Sequence, residues 1–361
     1  MDPQGFSFYL WRSVAGGFER YGDYLAGRIL AKYGVPGRLA TGAFLSTFSN
    51  GMRADDLLVN PEKFYSSFRR ERTKLVRIEG RGSSGADRSS RSLISFPSPL
   101  FSGQGKNDLV RADLYQNSQQ DSGRVVIWLG GLFMNFNSID RLIARYLFSH
   151  GVDVCSMSLP YHGLRSCYGR SGFGFISTDP LGIGEAFIQA VLDVTKLHQI
   201  LTENFGYKQI FGAGVSVSGN VLHIASFLKE FAGLTLINSG VSLAEMVWFS
   251  PNPCLRVVRH VLEAKSCTLD LLIRLWLMSD GSRFKVKPFC GRFLLANGLF
   301  DNHAEPNFAL RLFQSLQIAG DAEMIIYPGS HYDNIFFTRP VFRNIKRFID
   351  GKPVKQTKWH L

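Results

Sequence analysis

The sequence predicts an α/β fold in which a mostly parallel central sheet is flanked by helices, and three observations carry that prediction. Short apolar runs recur along the chain, among them RVVIWL, VDVCSM, QIFGAGV, LTLIN, RFLLAN and EMIIYP. Longer segments with helical spacing lie between them, which is the pattern of buried parallel strands joined by βαβ crossovers. With 361 residues, 45% of them hydrophobic, the chain can bury a large core, enough for one big α/β domain or two modest ones.

The elements follow in order. Residues 1–72 read as an N-terminal helical extension, because Val14, Phe18, Tyr21, Leu25 and Ile29 recur at three- and four-residue steps. Trp11 and neighbouring aromatics beside basic residues would suit an interfacial anchor. Glu19 and Asp23, however, share the polar face with Arg20 and Arg28, which favours a helix docked on the core. Peripheral membrane contact through this helix stays open. Glu79 to Arg91, EGRGSSGADRSSR, has the composition of a flexible loop. In the domain assigned to residues 73–361, the strand LVRADLY and then RVVIWLGG come first. A helix through Ile139 to Phe148, the strand VDVCSMSLP, a long helix within Leu181 to Phe205 and the strand QIFGAGVS follow. Next come a helix from Val217, LTLIN, a long insertion at 239–290, RFLLAN, a helix around Asn307 to Gln317, EMIIYP and a final helix from Ile335.

Composition narrows the partners and the compartment. Lys and Arg number 41 against 29 Asp and Glu, a net charge of +12, but no long basic block, zinc-finger pattern or phosphate-binding glycine loop accompanies it. Nucleic acid is not an expected partner. Cys155, Cys167, Cys254, Cys267 and Cys290 are odd in number and lack CxxC spacing, which argues against a disulfide framework and against a zinc site and suits a reducing compartment. The N-terminus lacks the basic segment and continuous apolar core of a secretion signal. No apolar run reaches the ~20 residues of a membrane span. A soluble cytoplasmic protein is expected, with membrane association the variant to test.

In open parallel sheets ligands bind beyond the carboxyl ends of the strands, so the residues that follow each strand are the ones to inspect. Three stand out. Gly214-Val215-Ser216-Val217-Ser218-Gly219 runs from strand into helix, putting Ser216 on a sharp turn beside the unpaired N–H groups of a new helix. Small residues are required there because the helix passes close to the strand. An ordinary strand-to-helix turn would also accept this sequence. Asp301 follows RFLLANG, where its carboxylate can orient a histidine or cap the helix near Pro306. His331, after EMIIYPGS, can take a proton from Ser216 and return it to a leaving group. Glu245 and Asp280 are the fallback acids, and neither directly follows a strand.

Serine, acid and histidine at three strand ends, in that chain order, resemble the α/β-hydrolase superfamily over about residues 74–352. The resemblance implies that Ser216 is the nucleophile, His331 the general base and acid, and Asp301 the residue that orients His331. It also implies an oxyanion hole made by the Val217 N–H and by the Leu132 N–H in Gly130-Gly131-Leu132. Two departures accompany it: Gly130 stands where the family's loop has histidine, and Ser218 stands where its elbow has a second glycine. His162 in LPYHGLRS matches a loop-shaping position, and His303 reads as a helix-entry or pocket-rim residue.

The insertion at 239–290 matches the family's cap in position, and VSLAEMVWF and TLDLLIRLWLM within it read as helices. It is expected to act as a moving lid or as a fixed helical layer. Trp248, Phe249 and Trp276 are its candidate substrate-binding residues. The combined expectation is a serine hydrolase, needing neither cofactor nor metal, that cleaves a small-molecule or lipid-like carboxylic ester or related acyl bond. An acyltransferase with the same residues and a noncatalytic binding or scaffold protein on the same fold are the alternatives. Oligomeric state is not readable from sequence.

Overall fold

The computed structural model describes residues 61, 64–65, 77–81, 89–117, 123–132, 139–169, 171–176, 180–284, 287–331 and 338–355. The expected helical extension lies almost wholly outside the described residues. Of its described residues, 61 and 64–65, Phe64 and Tyr65 are buried in the main core, where the Tyr65 hydroxyl donates to the Met278 carbonyl at 3.0 Å.

Nine strands form a single sheet among the described residues: β1 (Arg77–Arg81), β2 (Ser89–Pro97), β3 (Leu109–Asn117), β4 (Arg124–Leu129), β5 (Asp153–Met157), β6 (Gln209–Val215), β7 (Gly233–Ile237), β8 (Arg292–Gly298) and β9 (Asp321–Tyr327). Their order is β1-β2-β3-β5-β4-β6-β7-β8-β9. β5, β4, β6, β7, β8 and β9 run parallel, and β1, β2 and β3 complete one edge as an antiparallel meander. The predicted mostly parallel sheet is therefore present. The expected loop at 79–91 is corrected at both ends, since Glu79–Arg81 belong to β1 and Ser89–Arg91 to β2. Polar composition misled there because an antiparallel ladder is held by backbone bonds and its outer strands need little apolar side chain.

Alternation along the strands divides the core into two layers. Val125, Ile127, Leu129, Leu234, Leu236, Phe293 and Leu295 face one side. They pack against α2 (Pro180–Phe205), α3 (Val217–Ala225) and α7 (Pro306–Ala319). Val126, Trp128, Phe211, Ala213, Val215, Ile237, Leu294 and Ala296 face the other, against α1 (Ile139–Ser149) and α8 (Thr338–Ile349). Burial on both faces explains why these strands read as unbroken apolar runs. At Gly212 a Cβ would come within 2.6 Å of the Leu234 side chain, which would have to shift to admit it.

The loop after β5 is fastened from beneath. Arg165, at the end of the 3-10 turn Gly163–Arg165, is fully buried and pairs with Asp193 of α2 at 2.8 Å. Its guanidinium also donates to the carbonyls of Asn107, at 2.9 and 2.6 Å, and Ser158, at 3.0 Å. Burial pushes the Asp193 carboxyl up, and Arg165 opposes that shift. A buried charge needs such partners, because losing one typically costs about 3–5 kcal/mol.

Between β7 and β8 the chain builds α4 (Leu243–Phe249), α5 (Pro253–Ala264) and α6 (Leu269–Leu275). Ser242 caps α4 by accepting from the Glu245 N–H, and Thr268 caps α6 by accepting from the Leu271 N–H. α5 is amphipathic: Leu255, Val258 and Leu262 recur at three- and four-residue steps on its packed face, with Arg256, Arg259 and His260 between them. Val247, Val258, Leu262, Leu272 and Trp276 form an apolar cluster of their own that also takes in Ile183 of α2. The cluster ties these helices to the main domain.

Candidate active site

The carboxyl ends of β6, β7, β8 and β9 converge on one hydrogen-bonded chain of side chains. Ser216 lies between β6 and α3 with φ 59° and ψ −127°. A non-glycine residue in this region costs about 1–3 kcal/mol and persists only when its surroundings impose it. Here the Ser216 N–H donates to the Ile237 carbonyl at 2.7 Å, its own carbonyl accepts from Gly219 N–H at 2.9 Å, and the Ser239 hydroxyl donates to the same carbonyl at 3.0 Å. Gly214 and Gly219 leave the space this turn needs. A Cβ at Gly214 would lie 2.7 Å from the Ser218 backbone, and one at Gly219 would overlap Ser239.

The Ser216 hydroxyl lies 2.9 Å from His331 Nε2. His331 Nδ1 in turn lies 2.8 Å from Asp301 Oδ2 and 3.0 Å from Oδ1. Sharing its Nδ1 proton with a carboxylate leaves Nε2 as the acceptor for the serine hydroxyl. Ser216 is half-buried, whereas His331 and Asp301 are buried. Asp301 Oδ1 also accepts from the backbone N–H groups of His303, at 2.8 Å, and Ala304, at 2.9 Å. The two loops that carry acid and imidazole are joined by backbone bonds, from Leu299 N–H to Tyr327 O at 2.8 Å and from Phe300 N–H to Gly329 O at 2.9 Å. The three residues singled out by their places after strands are thus brought together by the fold.

The other candidates fall elsewhere. Glu245 pairs with Arg311 at 2.8 Å, and Asp280 accepts from Ser282 N–H at 3.0 Å and from its hydroxyl at 2.7 Å. His162 sits with Nδ1 2.8 Å from the Pro160 carbonyl, its ring edge on Phe175, and burial lowers its pKa to about 4. Trp276 is buried with its indole N–H donating to the Pro180 carbonyl at 2.8 Å. Trp248 is half-buried at the edge of the same cluster, and Phe249 is 59% exposed. Val217 is the first residue of α3, so no preceding helical turn supplies an acceptor for its N–H. Leu132 lies in the turn after β4, and its side chain packs on the same core cluster as that of Val217.

Two residues at the site carry no sequence signature. Asn238, at the end of β7 with φ 50°, is fully buried and connects three strand ends. Its Oδ1 accepts from Gly298 N–H at 2.9 Å and from the Tyr327 hydroxyl at 2.8 Å, and its Nδ2 donates to the His331 carbonyl at 3.3 Å. Asn252, between α4 and α5, lies with Nδ2 3.1 Å from His303 Nδ1 and 3.0 Å from Asn302 Oδ1. The His303 ring stacks on His331 at 4.3 Å between centroids and 21° between planes. Burial first, and then the His331 charge, hold the His303 pKa well below the usual histidine range, so it is a neutral neighbour. An isolated asparagine after a strand or between helices gives no periodic or motif signal.

Among the described residues, Asp301, His303 and His331 form the one group whose ligand atoms could hold a metal ion, with those atoms within 4.8 Å of one another. Their Nδ1 and carboxylate atoms are already engaged with each other and with Asn252. Cys155, Cys167, Cys267 and Cys290 are free thiols. No helix among the described residues is long and apolar enough to cross a membrane.

No family model and no curated protein matches the chain. Solved structures do. Acetyl xylan esterase 1 from Thermoanaerobacterium sp. is similar with a TM-score of 0.60 at 13% identity, covering 86% of this chain and 95% of its own. An acetyl xylan esterase from Paenibacillus sp. R4 gives 0.61 at 14%, covering 82% of this chain and 100% of its own. An acylaminoacyl peptidase from Pyrococcus horikoshii gives 0.52 at 14%, covering 79% of this chain and 43% of its own. The likeness is one of architecture, the α/β-hydrolase fold.

Proposed function

We propose that this protein is a serine hydrolase that cleaves a carboxylic ester through an acyl-Ser216 intermediate. The observation that carries the reading is the unbroken series from Ser216 Oγ through His331 to Asp301, at 2.9 and 2.8 Å. His331 Nε2 takes the hydroxyl proton as Oγ attacks the carbonyl carbon, and Asp301 holds the ring and stabilises the imidazolium that forms. The N–H groups of Val217 and Leu132 are assigned to the developing oxyanion. His331 returns the proton to the leaving alkoxide as the tetrahedral species collapses. Water, deprotonated by the same nitrogen, then attacks the acyl-enzyme and releases the acid and free Ser216.

A short acyl group is the first substrate class to test, because two of the similar structures, which cover 86% and 82% of this chain, are named as acetyl xylan esterases. The helices between β7 and β8 are assigned as a cap over the site, with Trp248 and Phe249 as its substrate-facing candidates; Trp276, buried against Pro180, is not one. The decisive experiment is labelling with a fluorophosphonate probe, together with turnover of p-nitrophenyl esters of increasing chain length. Wild-type protein is expected to label and to turn over the short esters, and Ser216→Ala to do neither, with loss of about a millionfold in kcat. Equal labelling of the two proteins removes Ser216 from the role.

A further inference from the structure

The two positions at which this chain departs from the α/β-hydrolase pattern meet in one hydrogen bond. Ser218 is fully buried in the first turn of α3, and its hydroxyl donates to the carbonyl of Gly130, the residue after β4. Ser218 adjoins Val217, and Gly130 lies two residues before Leu132. The bond therefore spans the two segments whose N–H groups are assigned to the oxyanion.

The local chemistry shows why a tether matters here. The peptide joining Gly130 to Gly131 is planar, so its carbonyl and its N–H point in opposite directions and rotate together. Neither residue has a Cβ, and a Gly-Gly pair visits many backbone conformations about equally well. Fixing the Gly130 carbonyl against α3 fixes the rotation of that peptide and leaves only the two Gly131 dihedrals between it and the Leu132 N–H. The Leu132 and Val217 side chains pack on the same core cluster, and the Ser218 hydroxyl joins the two segments directly.

We infer that Ser218 is a positioning residue for the oxyanion hole, its hydroxyl doing for the Gly130-Gly131-Leu132 turn what a larger side chain at Gly130 would otherwise do. This rests on the proposed serine hydrolase mechanism. Ser218 does not touch the substrate, and it is not a second nucleophile, because its hydroxyl is buried and directed at Gly130 rather than at His331. A donor that binds only the tetrahedral species lowers kcat without altering substrate binding when it is misplaced.

The test compares wild type, Ser218→Ala and Ser218→Cys. Three readouts are used: steady-state hydrolysis of p-nitrophenyl acetate, the rate of fluorophosphonate labelling, and inhibition by phenylboronic acid, whose serine adduct is tetrahedral. Ser218→Ala is expected to lose about 10- to 100-fold in kcat and in labelling rate, less than the ~100- to 1,000-fold seen on deleting an oxyanion donor outright. Its KM and melting temperature stay those of wild type, and its Ki for the boronic acid rises in step with the loss of kcat/KM. Ser218→Cys, which keeps the size and a weak donor, falls between. Wild-type values of kcat, labelling rate and Ki in Ser218→Ala overturn the inference. So does a loss accompanied in proportion by a raised KM or a lowered melting temperature, which is the mark of a merely structural role. Failure of the underlying mechanism looks different: wild type itself is then unlabelled, or Ser216→Ala labels as well as wild type.

Discussion

Ser216 and His331 meet at 2.9 Å, yet the two sides of that contact are built from different materials. On the serine side the geometry is imposed chiefly by backbone, with the Ser239 hydroxyl added on the Ser216 carbonyl. The Ile237 carbonyl, the turn to Gly219 and the absent side chains of Gly214 and Gly219 hold Ser216 in a conformation it would not choose. On the imidazole side the geometry is imposed by side chains drawn from three places. Asp301 accepts from His331 Nδ1, Asn238 reaches the His331 carbonyl from the end of β7, and His303, itself met by Asn252 of the insertion, stacks on the ring. Backbone scaffolding is all-or-none, because a tight turn either forms or does not. A side-chain scaffold is graded, since each contact can be removed alone.

Substitutions that separate these two kinds of support should therefore differ in kind as well as size. The largest effect is expected at Asp301→Asn, which keeps the shape but presents the wrong donor to the imidazole, with kcat falling about 10,000-fold at unchanged KM. Stopped assays at high enzyme concentration measure it. Less than a tenfold loss would mean that Asp301 is not the orienting acid. Gly219→Ala comes next and attacks the backbone side. The overlap with Ser239 should cost about 1–3 kcal/mol, seen as a lower melting temperature together with a large loss of fluorophosphonate labelling. An unchanged melt with full labelling would show that the turn yields, contrary to the contrast drawn above.

Asn238→Ala removes the acceptor for Gly298 and Tyr327 and places alanine at φ 50°. A loss of about 3 kcal/mol in stability is expected, read by denaturant titration, with kcat down about tenfold. Asn252→Ala should be the mildest, a several-fold fall in kcat with little change in the melting temperature of the whole chain. If Asn252→Ala instead equals Asp301→Asn, the imidazole side is as indivisible as the serine side.

The same contrast explains what could be read in advance. β4, β6, β7 and β8 were legible because burial on both faces writes an apolar run into the sequence; Ser216 and Asp301 were legible because each follows such a run, and His331 because it follows the shorter apolar run of the edge strand β9. β1 and the start of β2 were hidden by polar residues in strands that the backbone ladder sustains. Asn238 and Asn252 were hidden because their roles depend on groups 60 and 51 residues away in sequence, at Gly298 and His303. No local window contains that information. Ser218 was visible only as an irregularity in the elbow, and its bond to Gly130, 88 residues upstream, gives the irregularity a cause.

The left-handed backbone at Ser216 also has a consequence for how the protein is made. The conformation is held by Ile237 and Ser239, which follow it in the chain, and the proton acceptor arrives only with His331. A chain emerging from its amino end thus carries an ordinary serine hydroxyl through the synthesis of more than a hundred further residues, since Ser216 and His331 stand 115 apart. On the proposed mechanism, reactivity is conferred late, by closure of the sheet, and a chain that ends before His331 carries no activated serine.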